Sequence, residues 1–272
     1  MVVTTTSDPR TTSALVTGGG SGIGAAASRM LAGTGARVAV VDIDDRAARA
    51  VASEVDGLAL CGDVASPGVL ARALEEAEQT FGTLDVVLLN AGTASQQNGI
   101  DDLDVADYRR VLGVNVDHVV LGLTAAVPVL RRARGGRIVV TASLAGLVPM
   151  PGDPIYTLSK HAVVGYVRAV APVLADEGIR VNAVCPGFAD TPLLDPAREQ
   201  LGDFPLLRPE DVADAIAEVL AQGRPGECWF VQPGRPGERY TFRGVPGPRG
   251  GAAAPAVGPG AAGHLDEGAH DR

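Results

Sequence analysis

The chain has 272 residues, 46% of them apolar, and a formal net charge of −9. That length suits one α/β domain whose core needs no disulfide or metal staple, and the acidic balance argues against a nucleic-acid partner, whose phosphates need a basic face. No run of roughly eighteen uncharged apolar residues marks a membrane span, the polar start Met1–Thr12 does not read as a signal peptide, and Cys61, Cys185 and Cys228 lack metal-ligand spacing and are expected to be reduced thiols of a cytoplasmic protein.

From residue 13 onward, short β-branched runs alternate with helical stretches, the pattern of a parallel sheet with crossover helices. Strands are predicted at Ala14–Thr17, Arg37–Asp42, Gly57–Cys61, Val86–Asn90, Arg137–Ser143, Arg180–Cys185 and Cys228–Val231. Several are apolar almost throughout, as expected of strands covered on both faces. Helices are predicted at Gly22–Gly33, Arg46–Val55, Pro67–Phe81, Val105–Arg134, Tyr156–Glu177 and Pro209–Gln222. Pro128 and Pro172 fall inside two of them and are expected to kink or break them. Residues 1–12 read as a flexible lead-in, 13–243 as a single domain, and 244–272, dominated by Gly, Pro and Ala, as a disordered tail.

Between the first strand and the first helix stands Thr17-Gly18-Gly19-Gly20-Ser21-Gly22-Ile23-Gly24. Glycines in a strand–turn–helix setting let a pyrophosphate approach the backbone, and the helix N-terminus offers it N–H groups and a positive dipole end. Asp42 closes the second strand, where a carboxylate accepts from ribose hydroxyls and repels a 2′-phosphate. Neither Ser21 nor Ile43 offers a cation for such a phosphate, so both positions point to NAD rather than NADP. Asp42 could instead cap the next helix, as could Asp44 and Asp45. The fold expected from this order is a Rossmann-type doubly wound parallel sheet of about seven strands, with helices on both faces.

Tyr156 and Lys160 are four residues apart, on one face of a helix. Lysine and arginine total 23, and Lys160 is the one lysine. An ammonium beside a phenol favours the phenolate and lowers its pKa, which makes a general acid/base. Ser143 ends a strand on the side where open α/β sheets bind ligands, so its hydroxyl can hold a substrate oxygen.

With these residues in place, the chain resembles the short-chain dehydrogenase/reductase family from Ser13 to about Val231. Thr17-Gly18 through Gly22-Ile23-Gly24 resembles its cofactor signature. Asn90-Ala91-Gly92 resembles its sheet-stabilising motif, although Leu89 stands where many members carry Asn. Asn115 matches its helical Asn, Ser143, Tyr156 and Lys160 its catalytic residues, Asp63-Val64 its adenine-contacting pair, and Pro186-Gly187 with Thr191 its nicotinamide-contacting segment. The resemblance implies hydride transfer between NAD(H) and a secondary alcohol or ketone. In that scheme Tyr156 is the acid/base, Lys160 lowers its pKa and binds the nicotinamide ribose, Ser143 orients the substrate oxygen, and Asn115 links the lysine to solvent through water. It also implies a homodimer or homotetramer built on the helices of Val105–Arg134 and Tyr156–Glu177.

Tyr156–Gly165 and Cys185–Phe188 are similar to members related to 15-hydroxyprostaglandin dehydrogenase, except that Asp153 replaces an amide. Asp153 either contacts a substrate hydroxyl or caps the Tyr156 helix. His161 is expected at a packing or subunit contact. Thr93–Gly99, Leu144–Ile155 and Phe188–Leu207 should line the substrate site, with Ala189–Leu207 as a mobile lid. Their Leu147, Val148, Met150, Phe188, Leu193, Leu194 and Phe204 suit an apolar small-molecule substrate, and equally suit core. Two other readings stay open: a biosynthetic ketoreductase, against which Asp42 counts, and a dinucleotide-sensing regulator without turnover, against which the intact Ser–Tyr–Lys set counts.

Overall fold

A computed structural model describes residues 12–96, 101 and 103–244. The expectations for the lead-in and the tail therefore fall almost wholly outside the described residues, as does the end of the Thr93–Gly99 segment.

The seven predicted strands are present: β1 (Ser13–Thr17), β2 (Arg37–Asp42), β3 (Leu58–Cys61), β4 (Val86–Leu89), β5 (Gly136–Thr141), β6 (Ile179–Pro186) and β7 (Cys228–Val231). An eighth, β8 (Glu238–Arg239), was not predicted; it pairs antiparallel with β7, Trp229 opposite Arg239. The order is β3-β2-β1-β4-β5-β6-β7-β8, all pairs before the last being parallel. The chain order reverses between β1 and β4, so a crevice opens beyond their carboxyl ends, where this class of sheet binds ligands.

Alternate strand residues feed two cores. Leu15, Val41, Val87, Leu89, Ile138 and Val140 face one side, and Val16, Val40, Leu88 and Val139 the other. Both sets are apolar because both faces are covered. The first side carries α3 (Val69–Phe81), α5 (His118–Arg132) and α6 (Pro154–Ala175). The second carries α1 (Gly22–Gly33), α2 (Asp45–Glu54) and the Pro209–Gln222 helix.

The predicted helix Val105–Arg134 is in fact two, α4 (Val105–Leu112) and α5, joined by a π-helical turn at Gly113–Asp117. By length and composition this helical run could cross a bilayer; here Val111, Val119, Leu123 and Leu130 are buried in the fold, so its hydropathy is that of a core element. Neither Pro128 nor Pro172 ends its helix. α6 starts two residues before the predicted Tyr156 because Asp153 caps it and Pro154 takes the first helical position, where a missing N–H costs nothing.

The Phe188–Leu207 segment is a closed loop. Asp190 N–H donates to the Leu207 carbonyl and Leu207 N–H to that of Phe188, both at 2.8 Å. Between these ends run a 3₁₀ stretch, Pro192–Ala197, and the single turn α7 (Arg198–Leu201); α8 (Pro209–Gln222) follows. Phe188 and Phe204 meet edge to face, 5.8 Å between ring centres.

Candidate active site

The glycine turn leaves β1 and passes under the end of β4. At Gly18 φ is +61°, and a Cβ there would lie 2.9 Å from Ala91 Cα. At Gly24 a Cβ would lie 2.0 Å from the Gly18 carbonyl oxygen, so no side chain fits without breaking the turn. Gly22, also at positive φ, abuts Thr191, which brings the segment after Pro186-Gly187 over the turn. Ser21 stands at the N-cap of α1 but makes no side-chain cap, and no acid sits in the first turn, so the helix's leading N–H groups face outward without a side-chain partner. Ile23 turns inward and packs on the second core.

Asp42 lies beside this turn. Its Oδ2 accepts from Gly20 N–H at 2.9 Å and its Oδ1 from Asp44 N–H at 3.0 Å. The capping alternative fails: Asp44 caps α2, accepting from Arg46 and Ala47. Asp63 Oδ1 turns the chain by accepting from Ala65 N–H at 2.9 Å, while Val64 is buried. The turn, Asp42 and the uncapped helix end form a cradle that fits a dinucleotide: space where any Cβ would intrude, donors for phosphates and a carboxylate for ribose hydroxyls.

Thr17 ties this cradle to the strand ends. Its hydroxyl accepts from Asn90 N–H at 2.8 Å and Ala91 N–H at 3.2 Å, and lies 3.0 Å from His118 Nε2. His118 Nδ1 is 3.1 Å from the Val114 carbonyl, a contact that requires its proton there, so Nε2 accepts from Thr17. Burial pushes His118 down to about 4, with Lys160 acting in the same direction, and the ring is neutral. Asn90 Nδ2 donates to the Thr17 carbonyl at 3.1 Å, and Asn90 Oδ1 accepts from the Thr141 hydroxyl at 3.0 Å, joining β1, β4 and β5.

Ser143, Tyr156, Lys160 and Asn115 gather at the same edge. Ser143 follows β5 in extended conformation, its hydroxyl accepting from Ala145 N–H at 3.1 Å. Tyr156 and Lys160 are buried on α6. Lys160 Nζ donates to the Thr141 carbonyl at 2.9 Å. Asn115, on the π-turn, donates to Ser159 Oγ at 2.9 Å and exchanges bonds with both backbone groups of Thr93. A Cβ placed on Gly92 would lie 3.4 Å from Lys160 Nζ and 3.5 Å from Asn115 Oδ1, so this glycine keeps open the space between amine and amide.

Burial acts on both members of the Tyr156–Lys160 pair. Burial pushes Tyr156 up to about 12; the Ser143 hydroxyl opposes this, and the charge of Asp153 adds to it. Burial also pushes Lys160 down to about 8.

Asp153 is a cap, its Oδ1 accepting from Tyr156 N–H at 2.8 Å, but it also holds Ser95, a link invisible in the sequence. His118 and Ser159 were likewise missed; spacing gave one hint, because His118 follows Asn115 by less than a helical turn. His161 is exposed and bonds its own helix at the Thr157 carbonyl. Of the apolar lining candidates, Leu194 is buried and Leu147 packs against the core, whereas Val148, Phe188, Leu193 and Phe204 are exposed.

The family model described as short chain dehydrogenase matches residues 12–202. The chain is 38% identical over 218 residues to cyclohexanol dehydrogenase of Acinetobacter sp. (strain SE19), covering 76% of this chain and 87% of that protein. Cis-4-hydroxycyclohexanecarboxylate dehydrogenase of Sinomonas cyclohexanicum is also 38% identical over 218 residues, covering 75% and 87%. Among solved structures, the 3-ketoacyl-(acyl-carrier-protein) reductase from Brucella melitensis complexed with NADH superposes with a TM-score of 0.76 at 31% identity, over 82% of this chain and 98% of that one. The chain belongs to the short-chain dehydrogenase family: it is an oxidoreductase that works with a nicotinamide dinucleotide on the CH–OH group of a secondary alcohol, or on the corresponding ketone.

Proposed function

We propose that this enzyme is an NAD-dependent dehydrogenase of apolar secondary alcohols, with cyclic alcohols as the leading class, and that it works in the cytoplasm as a homodimer or homotetramer. The observation that carries the catalytic reading is the meeting of Ser143 and Tyr156 at the carboxyl end of β5, beside Lys160, Asn115 and the glycine cradle.

When bound, the nicotinamide ring supplies the acceptor or donor of hydride. Gly18, Ser21, Gly22, Ile23 and Gly24 would receive the phosphates, Asp42 the adenosine ribose, Asp63 and Val64 the adenine, and Asn90-Ala91-Gly92, Pro186-Gly187 and Thr191 the nicotinamide end. The Asp42 carboxylate supports NAD, because it would repel a 2′-phosphate. Ser143 holds the substrate oxygen. Tyr156 gives that oxygen a proton in reduction and takes one in oxidation. Lys160 orients the nicotinamide ribose, and Asn115 lines the path by which a proton reaches the amine.

Exposed Val148, Phe188, Leu193 and Phe204 around the mouth support an apolar substrate, as do the ring alcohols in the names of two relatives. Apolar and small residues on the exposed faces of α5 and α6, including Leu121, Leu158, Gly165 and Val173, support subunit packing there. The free thiols of all three cysteines support a reducing compartment.

A reducing direction is supported by the burial of Tyr156, which raises the phenol's pKa and favours its proton-donor form. A screen of NAD and NADP reduction over cyclic alcohols, steroids, hydroxy fatty acids and sugars, with the matching ketones run in reverse, tests the proposal. Turnover only with polar sugars, or only with NADP, would refute it.

A further inference from the structure

Four consecutive residues beyond β4, Thr93 to Gln96, are held by side chains from three elements. Asn115 of the π-turn takes the Thr93 N–H at 2.8 Å and donates to its carbonyl at 2.9 Å. Arg110 of α4 donates to the Ala94 carbonyl at 2.8 Å and also bonds the Thr93 hydroxyl. Asp107, itself paired with Arg110, accepts from Gln96 N–H at 2.8 Å. Asp153, at the N-cap of α6, grips Ser95 with both oxygens: N–H to Oδ2 at 2.9 Å, hydroxyl to Oδ1 at 2.7 Å. Of these holders, Asp153 belongs to the helix that carries Tyr156, whose own N–H it accepts at 2.8 Å.

A carboxylate has about four lone-pair sites. Three of those on Asp153 are filled by Ser95 and Tyr156, and the residue is only 9% exposed. It is therefore poorly placed to receive a substrate hydroxyl. A cap alone would need one oxygen and would not reach Ser95, 58 residues earlier in the chain.

We infer that Asp153 is a positioning residue: it locks the wall formed by residues 93–96 to the catalytic helix, so that substrate is confined against Tyr156. The inference rests on the functional reading above. The wall is built in advance of binding, and its ordering cost does not fall on the substrate. Loosening it should therefore cost substrate affinity before cofactor affinity. A second consequence is electrostatic. Tyr156 faces Asp153 and Lys160 on its own helix, Ser143 after β5 and Cys185 on β6, and the Asp153 charge raises its pKa.

The test uses Asp153→Asn, Ser95→Ala and the double variant of the full chain. The amide of Asp153→Asn can still cap Tyr156, but it sets a donor against a donor at Ser95. Ser95→Ala leaves the cap whole, so it guards against a folding defect. Each single variant should lower kcat/KM for the alcohol about tenfold or more, mainly through KM. NADH affinity should be unchanged, and amide hydrogen exchange over residues 93–96 should be faster. The double variant should be little worse than Asp153→Asn. Asp153→Asn alone should also move the alkaline midpoint of alcohol oxidation to lower pH. Wild-type kinetics and exchange in both Asp153→Asn and the double variant, which disturb the Ser95 N–H bond as well as the hydroxyl bond, would overturn the inference and leave Asp153 a helix cap. Wild-type protein inert to every alcohol and ketone with both cofactors, while exchange at 93–96 responds to the variants, would instead overturn the functional reading.

Discussion

Lys160 Nζ lies 5.5 Å from the centre of the Tyr156 ring and spends a hydrogen bond on the Thr141 carbonyl. The amine thus flanks the phenol while remaining anchored to the end of β5. With Tyr156 pushed up to about 12, the phenol is a proton donor at neutral pH and becomes a base only as pH rises. Alcohol oxidation should therefore accelerate from neutral into alkaline pH, and ketone reduction should fall over the same range. Tyr156→Phe should lower both by about 100-fold or more while NADH binding persists. Initial rates against pH, with NADH fluorescence titration, check this.

Lys160→Arg keeps the charge and should still fail. The amine is buried, and a planar guanidinium cannot reproduce a single short donor aimed at Thr141. A loss of about 100-fold in kcat/KM is expected. Near-normal turnover in this variant would show that charge alone suffices at the position.

Asp42 bonds the backbone of the glycine turn through Gly20. Asp42→Ala should lower the preference for NAD over NADP at least about tenfold, because it removes a like charge from beside the 2′-phosphate. The ratio of kcat/KM for the two cofactors measures it. An unchanged ratio would reduce Asp42 to a support of the turn.

Gly92→Ala separates proton traffic from architecture. Its Cβ would make ordinary contacts with Lys160 and Asn115 and would need no unusual φ. Tm should hold, while kcat falls about tenfold as the gap between amine and amide closes. Thermal melts alongside steady-state rates decide it.

His118 makes the fold acid-sensitive. Its folded pKa of about 4 lies below the ordinary 6.5, so the unfolded chain binds the extra proton between those values. Stability is fully present above pH 6.5 and is lost as pH falls toward 4, by about 3 kcal/mol in all. His118→Gln, which does not titrate, should be less stable at pH 7 but should lose less between pH 7 and 4.5. Urea unfolding at the two pH values gives both numbers.

The seven parallel strands were legible because a sheet covered on both faces writes itself as apolar runs, as in Ala14–Thr17 and Val38–Val41. The glycine turn, Asp42, Ser143, Tyr156 and Lys160 were legible because each sits at a fixed offset from a strand end. β8 was not, since two residues show no alternation. The π-turn at Gly113–Asp117 was not, because no residue type in Gly-Val-Asn-Val-Asp marks a change of helical pitch. The grip of Asp153 on Ser95 and the contact of His118 with Thr17 join residues 58 and 101 apart, beyond any local pattern. The burial of the Tyr156–Lys160 pair was not legible either, since the spacing of two residues does not encode depth.

The solitary lysine gives the experimenter a chemical handle. It is the one primary amine among the side chains of this chain, and at about 8 it is neutral in mildly alkaline buffer, hence nucleophilic. Acylating reagents added at that pH should modify Lys160 slowly, because it is enclosed, and more slowly still when a nucleotide shields it. Mass spectrometry of a single peptide would then read occupancy directly, with no substrate in hand.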